Sequence, residues 1–383
     1  MTASKNLSFA QNLDSRDARI KQSFSSNKRS FYNWGFENGS LLLNSLTRTL
    51  LNNRGYNLPF QPYKEDVHPE LPTSKFPKVS IIFPNLNGNK GLLSALFSSI
   101  EKSSYPKDKI ETIMIDNNST DDSVKFVEKK FHNFKLIKLK KNQGFAKAVN
   151  IGAKRSSGKY LFVTNNDVEL EKNCIKNLVQ FLVHNPKVGV VGARVNDYKN
   201  RSQIACSALA YSFFTGNFVM SAKFDQIQNS DWVIGCSMCT SRSLWKKLSG
   251  FDEKFFFSGE ELDFCLRAKY LGYKIIYNPK ALLWHVGSAT SKKRTYTPHS
   301  FEIYKSKLRI ILKHGSRSEI LIAFFIQFLI FLPYRTLLMH DKSIFPLIKA
   351  SIWNIKHLPK NLFAQRKSIL YFKKAKTTAS SRG

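Results

Sequence analysis

The sequence predicts an α/β fold, a mostly parallel mixed sheet flanked by helices, and three observations carry that prediction. Short apolar runs alternate with segments of helical spacing from Lys78 to about His285, the order that builds a parallel sheet with helices on its faces. Several runs are apolar throughout rather than alternating, as in strands buried on both sides. The runs at Val79, Thr112 and Tyr160 end in Pro84, Asp116 and Asn165, which lines polar groups along one edge, where open α/β sheets hold ligands.

Taken in order, Val79 to Phe83 is the first strand, ended by Pro84 and the turn residues Asn85 to Gly88. Leu92, Leu93, Leu96, Phe97 and Ile100 then recur at helical spacing. A second strand, Thr112 to Ile115, ends in Asp116 to Asp122, and Val124 to Lys130 reads as a helix. Phe134 to Leu139 is a third strand, and Gly144 to Lys154 suits a helix. Tyr160 to Thr164 has almost no polarity and breaks into Asn165-Asn166-Asp167. A helix over Cys174 to His184 and a strand over Val188 to Val191 follow, then an irregular, aromatic-rich excursion over 195–232. Gly235 to Thr240 is small and apolar, and Ser243 to Leu248 reads as a helical turn. The spacing of Leu262, Leu266 and Tyr270 puts Glu260 to Tyr270 on a helix, with an acidic first turn that the helix dipole favours. Ile275 to Tyr277 and Leu282 to Trp284 are short strands, the second ending at His285.

A chain of 383 residues with 42% hydrophobic content can bury one large domain plus appendages. We divide it into an N-terminal extension and Pro-rich linker over 1–75, expected to be partly disordered, a catalytic domain over 76–315, and a tail over 316–383. The formal net charge of +33 points to an anionic partner: nucleic acid, a membrane surface or phosphorylated substrates. Five scattered cysteines suit reduced thiols better than a disulfide framework. Cys236 and Cys239 have the spacing of half a zinc site, but no second pair matches them, so they read as small core residues. Met1 to Lys21 is polar and shows no secretory signal.

Each candidate site residue has a plain structural reading beside the functional one. Asp116 at a strand end can accept from a pyrimidine base N–H, or it can cap the turn with Ser119 and Thr120. Asp167, past the end of a buried strand, can hold a divalent cation, or close the strand in an Asx turn. The small residues at Gly144, Ala146, Ala148 and Gly152 fit a backbone pressed against a ligand or against the sheet. Glu260, Glu261 and Asp263 either form a solvated helix start or, held among Phe255 to Phe257 and Phe264 to Leu266, carry a raised pKa suited to a base. His285 is a structural histidine unless Asp167 lies beside it.

Together these segments resemble a family-2 glycosyltransferase of the GT-A fold, of the rhamnosyl- and galactofuranosyltransferase-like kind, over roughly Lys78 to His314. The resemblance rests on Val79-Ser-Ile-Ile-Phe-Pro-Asn-Leu-Asn-Gly88, Ile115 to Ser123, Asn142-x-Gly-Phe-Ala-x-Ala-x-Asn-x-Gly152, Asn165-Asn-Asp167, Phe251-Asp-Glu-x-Phe255, Glu260 to Arg267 and Trp284-His285. It implies donor contacts from Pro84, Asn85, Asn87, Asp116, Asn118, Gly144, Asn150 and Asn166, and a Mn²⁺ or Mg²⁺ ion on Asp167 and His285. It also implies Glu261 as the base, with Asp263 and Glu260 positioning the acceptor or the base. Two departures stand out: Asn165 replaces the first carboxylate of the family's D-x-D motif, and Glu261 stands where Asp is more frequent.

The resemblance implies an inverting transferase that moves a sugar from a UDP- or dTDP-linked donor to a glycan or polyprenyl-linked acceptor in cell-surface polysaccharide or glycoconjugate assembly. Ile320 to Tyr334 holds fifteen residues without a charge, where a full membrane span takes about 20. Ten Lys/Arg and no acidic residue follow between Lys342 and Gly383. An anionic membrane partner and a place on the cytoplasmic face of the cell membrane, peripheral or with one short C-terminal segment, are therefore expected. The rival readings are a basic nucleic-acid-binding protein, supported only by the charge, and a nucleotidyltransferase on a related sheet, which leaves Glu260 to Arg267 without a purpose. No nucleic-acid partner is expected.

Overall fold

A computed structural model describes residues 60–65, 69–287, 298–331, 333 and 344–358. Most of the expected N-terminal extension and the basic stretch beyond 358 lie outside the described residues.

The centre is a row of parallel strands. Strand β1 (Val79–Asn85) pairs in parallel with β2 (Ile110–Asp116) on one side and β4 (Tyr160–Val163) on the other, and β2 with β3 (Lys135–Lys138). Beyond β4 comes β11 (Met238–Ser241), antiparallel to β4 and to β6 (Val188–Asp197). Then β12 (Lys274–His285) runs parallel to β6, and β10 (Gln228–Asn229) closes that edge. Helices α1 (Lys90–Glu101), α2 (Ser123–Lys130), α3 (Phe145–Arg155) and α4 (Cys174–His184) connect or flank the strands. Their apolar residues join Ile81, Ile82, Ile113, Leu161 and Phe162 in one continuous core. As expected of a sheet covered on both faces, β4 is buried at every position.

Two strands differ from the sequence reading. A short strand β5 (Val168–Leu170) follows directly after Asp167 and lies antiparallel to the end of β12. The two short strands expected after Tyr273 are one strand, with a register shift between Asn278 and Leu282, where Pro279 has no N–H for the ladder. The aromatic-rich excursion supplies β7 (Ile204–Cys206) against β6 and a separate hairpin of β8 (Leu209–Ser212) and β9 (Asn217–Met220). Near the linker's end, Tyr63 donates its hydroxyl to Asn185 and packs on Phe181, while Phe76 sits in the core.

After helices α5 (Arg242–Lys247) and α6 (Glu260–Tyr270), three more helices follow among the described residues: α7 (Pro298–His314), α8 (Arg317–Phe325), which continues as a π-helix over Ile326–Phe331, and α9 (Ile344–Lys356). Ser316 and Glu319 start α8 with a reciprocal capping box. Among the described residues no helix is long and apolar enough to cross a membrane. All five cysteines are buried and free.

Candidate active site

The pairing of β5 with β12 builds the first part of the site. Because His285 lies opposite Val168, the residue before β5 is brought to the imidazole, and Asp167 Oδ1 stands 3.0 Å from His285 Nε2. Asn165 Nδ2 approaches the same ring nitrogen at 3.1 Å. Burial pushes the Asp167 carboxyl up, but the charge and hydrogen bond of His285 outweigh it and hold the group below its ordinary range. A carboxylate oxygen and an imidazole nitrogen this close can bind one divalent cation together, and one imidazole with hard oxygens suits Mn²⁺ or Mg²⁺. Asn165 can add only a neutral amide where a second carboxylate would have added charge.

The ends of β1 and β2 carry the second part. Asn85 is buried; its amide N–H groups donate to Ser119 and Ser123, each at 3.1 Å, and its oxygen accepts from Asn166 at 2.8 Å. Gly88 makes room for that pair, since a Cβ there would lie 2.2 Å from Asn85 Oδ1. Asp116 accepts the Ser119 N–H with both oxygens, at 3.2 and 3.3 Å. That is the turn-capping role, and it leaves most of the carboxylate's lone pairs for another donor. Asn87 and Asn118, both exposed at the same edge, adopt left-handed φ values of 51° and 72°. Pro84 sits one residue before Asn85, opposite Ile115.

Gly144 opens α3 with φ of 80°, and a Cβ there would meet the Phe256 carbonyl at 2.4 Å. Only glycine allows that approach, and it lets Phe145 N–H donate to the same carbonyl at 2.8 Å. Asn117, which the sequence reading passed over, holds this turn by accepting from Gln143 N–H and donating to Gly144 O. Asn150, expected as a donor contact, reaches the loop before α6. Its amide both donates to and accepts from the Phe251 backbone, at 2.9 Å each way, so it clamps the loop that leads to α6.

The third part is the first turn of α6, and the structure divides it. Glu260 and Glu261 are buried, each with one carboxyl oxygen that has no partner. Burial and the neighbouring Glu261 raise Glu260 well above the carboxylate range. Burial also raises Glu261, but it accepts from Glu260 and from backbone N–H groups at Gly259 and Gly235, which favour its charged form. Asp263 leaves this pair. Fully buried, it meets Arg267 at 2.8 Å, Lys313 at 2.5 Å and His314 at 2.8 Å, and the charges of Arg267 and Lys313 with the His314 hydrogen bond hold it well below the carboxylate range despite burial. It anchors α7 to α6 through these pairs. Asp252 extends the same network to Arg309 and Lys313. The Phe251-Asp-Glu-x-Phe255 segment marks Asp252 in the sequence, but no local pattern announces its ion pairs, because the partners lie more than fifty residues on.

One backbone turn joins the acid pair to the Asp–His pair. Gly235 lies against Glu261. The next residue, Cys236, places its thiol 3.8 Å from His285 Nδ1 and its carbonyl 2.8 Å from the Thr164 hydroxyl.

A row of parallel strands with one antiparallel member inserted beside the central pair, and polar strand ends facing this turn, is an architecture of the GT-A class. Two solved structures share it: GalNAc-T7 with UDP, GalNAc and Mn²⁺ (TM-score 0.53, 14% identity, 63% of this chain and 49% of that one), and the mannosyltransferase PcManGT from Pyrobaculum calidifontis with GDP-Man and Mn²⁺ (TM-score 0.50, 19% identity, 89% and 94%). Residues 80–247 match the model of Glycosyl transferase family 2. The probable glycosyltransferase YdaM of Bacillus subtilis is 28% identical over 57% of this chain, and the O-antigen biosynthesis protein RfbC of Myxococcus xanthus 26% identical over 58%. The chain spans 53% of the first relative's length and 18% of the second's.

Proposed function

We propose that residues 76–315 form an inverting glycosyltransferase that moves a sugar from a nucleotide-diphosphate donor, UDP- or dTDP-linked, to a hydroxyl of a glycan or polyprenyl-linked acceptor. The product would serve cell-surface polysaccharide or glycoconjugate assembly. The observation that carries this reading is the Gly235–Cys236 turn, which sets a raised acid pair and an Asp–His pair on neighbouring residues of one backbone segment.

In this reading the ends of β1 and β2 hold the nucleotide, with Asp116 accepting from the base and the exposed edge at Asn87 and Asn118 facing it. Asp167 and His285 would hold Mn²⁺ or Mg²⁺, which when bound supplies Lewis-acid stabilisation to the departing diphosphate. Glu261 takes the proton of the acceptor hydroxyl. It suits that role better than Glu260, because backbone N–H groups and the hydrogen bond from Glu260 favour its charged form, whereas burial and the neighbouring Glu261 disfavour that of Glu260. Phe145 packs beside Gly235 and adds an apolar ring at this turn.

A panel of UDP-, dTDP- and GDP-sugars, scored by thermal shift and by donor hydrolysis with Mn²⁺, should reveal a preferred donor. Glu261→Gln should lower kcat by about 10²–10⁴-fold with donor-induced shift retained, and Asp167→Ala should weaken donor binding. Full turnover in the Glu261→Gln protein would remove Glu261 from the role of base.

A further inference from the structure

The C-terminal helices place their apolar residues on the wrong side for a protein that ends in water. Of the ten large hydrophobic residues exposed among the described residues, eight lie on α8, its π-helical continuation and α9: Leu321, Phe325, Leu329, Ile330, Phe345, Ile348, Ile352 and Ile355. The most exposed are Leu321 at 72%, Leu329 at 64% and Ile355 at 63%. On α9 the four follow the spacing of one helix face, while Leu347, Ala350 and Asn354 on the opposite face are buried. Exposed Lys349 and Lys356 border the apolar stripe.

Both helices rest on α7. Leu347 and Ala350 of α9 and Phe324 and Phe328 of α8 pack on Tyr304 and Leu308 of α7, so each outward stripe stands on the side away from that shared support. Asn354 donates to the Lys305 carbonyl at 3.1 Å and Gln327 to the Thr215 carbonyl at 2.6 Å, which fixes both helices to the folded body. These are held faces and not fraying ends. Single exposed apolar residues need no explanation, whereas a concentration such as this one marks an interaction surface.

We infer that α8 and α9 together form a platform that lies flat in the interface of an anionic bilayer and does not span it. Length argues against a span: thirteen residues of α9 rise roughly 20 Å, against about 30 Å of hydrocarbon. Charge selects the occupant. The sequence from Lys342 onward carries ten Lys/Arg and no acidic residue, complementary to anionic head groups and repulsive to a second copy of the same surface. The platform also has a direct link to the site. Helix α7, which supports it with Tyr304 and Leu308, holds Asp252 and Asp263 one turn further on through Arg309, Lys313 and His314. Docking therefore sets the acid pair at a fixed place relative to the membrane, which suits an acceptor whose hydroxyl is presented on a lipid carrier. Only that last step rests on the glycosyltransferase reading.

The test is co-sedimentation of the full chain with vesicles of phosphatidylcholine, with and without phosphatidylglycerol. Wild type should bind the anionic vesicles and bind neutral ones far less. Ile352→Asp with Ile355→Asp on α9, and separately Leu329→Asp on the π-helical segment, should each weaken vesicle binding by on the order of tenfold or more while keeping the melting temperature and donor hydrolysis of wild type. Glu261→Gln should bind vesicles like wild type, so a failed catalytic reading and a failed membrane reading give different results. Unchanged vesicle binding in both stripe variants would overturn the inference. So would a wild-type protein that ignores vesicles and forms a dimer that the same substitutions dissociate.

Discussion

Glu260, Glu261 and Asp263 share one helical turn and one charge type, yet the structure gives them opposite chemistry. Burial raises both glutamates: Glu260 well above its ordinary value, with the like-charged Glu261 adding to it, and Glu261 less, because hydrogen bonds from backbone N–H groups and Glu260 oppose the rise. Around Asp263 there are Arg267, Lys313 and His314, and the carboxyl is pushed far down although it is equally buried. Burial alone therefore does not set the protonation state of an acid. What decides is whether burial also brings cations within reach. Glutamates with unpartnered oxygens are prepared to exchange a proton, whereas an aspartate with three partners is fixed in place.

The strongest way to break this contrast is to remove the fixed member. Asp263→Asn leaves buried Lys313 and half-buried Arg267 beside a neutral amide, and breaking a buried pair of this kind costs about 3–5 kcal/mol. Chemical denaturation should show that loss at pH 7. The protein that remains folded should retain a measurable rate, because Asp263 touches neither the Glu260–Glu261 pair nor Asp167. A loss of rate as deep as that of Glu261→Gln, with stability unchanged, would return Asp263 to the catalytic group.

A milder test titrates the same network from Asp252. Burial acts to raise its carboxyl, but Lys313 and Arg309 overcome that and bring it from 3.8 to about 2. Between those values the unfolded chain binds a proton that the folded chain does not, so the contribution is complete above about pH 4 and is lost as pH falls towards 2. The shift corresponds to roughly 2 kcal/mol. Stability curves of wild type and Asp252→Asn should therefore differ by about that amount at pH 6 and converge in acid. Curves that stay parallel down to pH 2 would show that Asp252 is not held ionised by Arg309 and Lys313.

What the sequence made legible was the part built from neighbours along the chain. Val79 to Phe83 and Tyr160 to Thr164 are strands because nearly every side chain in them must be buried, and their polar ends locate Asn85, Asp116 and Asp167 at one edge. The pairing of Asp167 with His285 was expected from resemblance, but its physical cause, a three-residue strand lying on the end of β12, is too short to leave a periodic signal. The division of the acidic turn was not legible at all. It depends on Lys313 and His314, which enter through the packing of α7. The tail was expected at an anionic membrane from its charge, but which face of α9 turns outward was not legible: it is settled by the burial of Leu347, Ala350 and Asn354, which leaves Phe345, Ile348, Ile352 and Ile355 exposed.

The smallest expected effect sharpens the contrast at its entrance, the loop that carries Asp252 into α6. Asn150 holds this loop through its two hydrogen bonds with the Phe251 backbone, and Gly250 packs so close that a Cβ there would lie 2.4 Å from Asn150 Oδ1. Asn150→Ala removes both bonds from a half-buried place that water can partly reach, a cost of about 1–2 kcal/mol. If Asn150 is a clamp and makes no donor contact, the variant should bind the preferred donor sugar as wild type does and lose only a few-fold in kcat, as the Glu260–Glu261 pair samples more positions. If instead donor affinity falls tenfold with stability unchanged, the amide reaches the donor after all, and the loop is held by the approach of Gly144 and Phe145 to the Phe256 carbonyl alone.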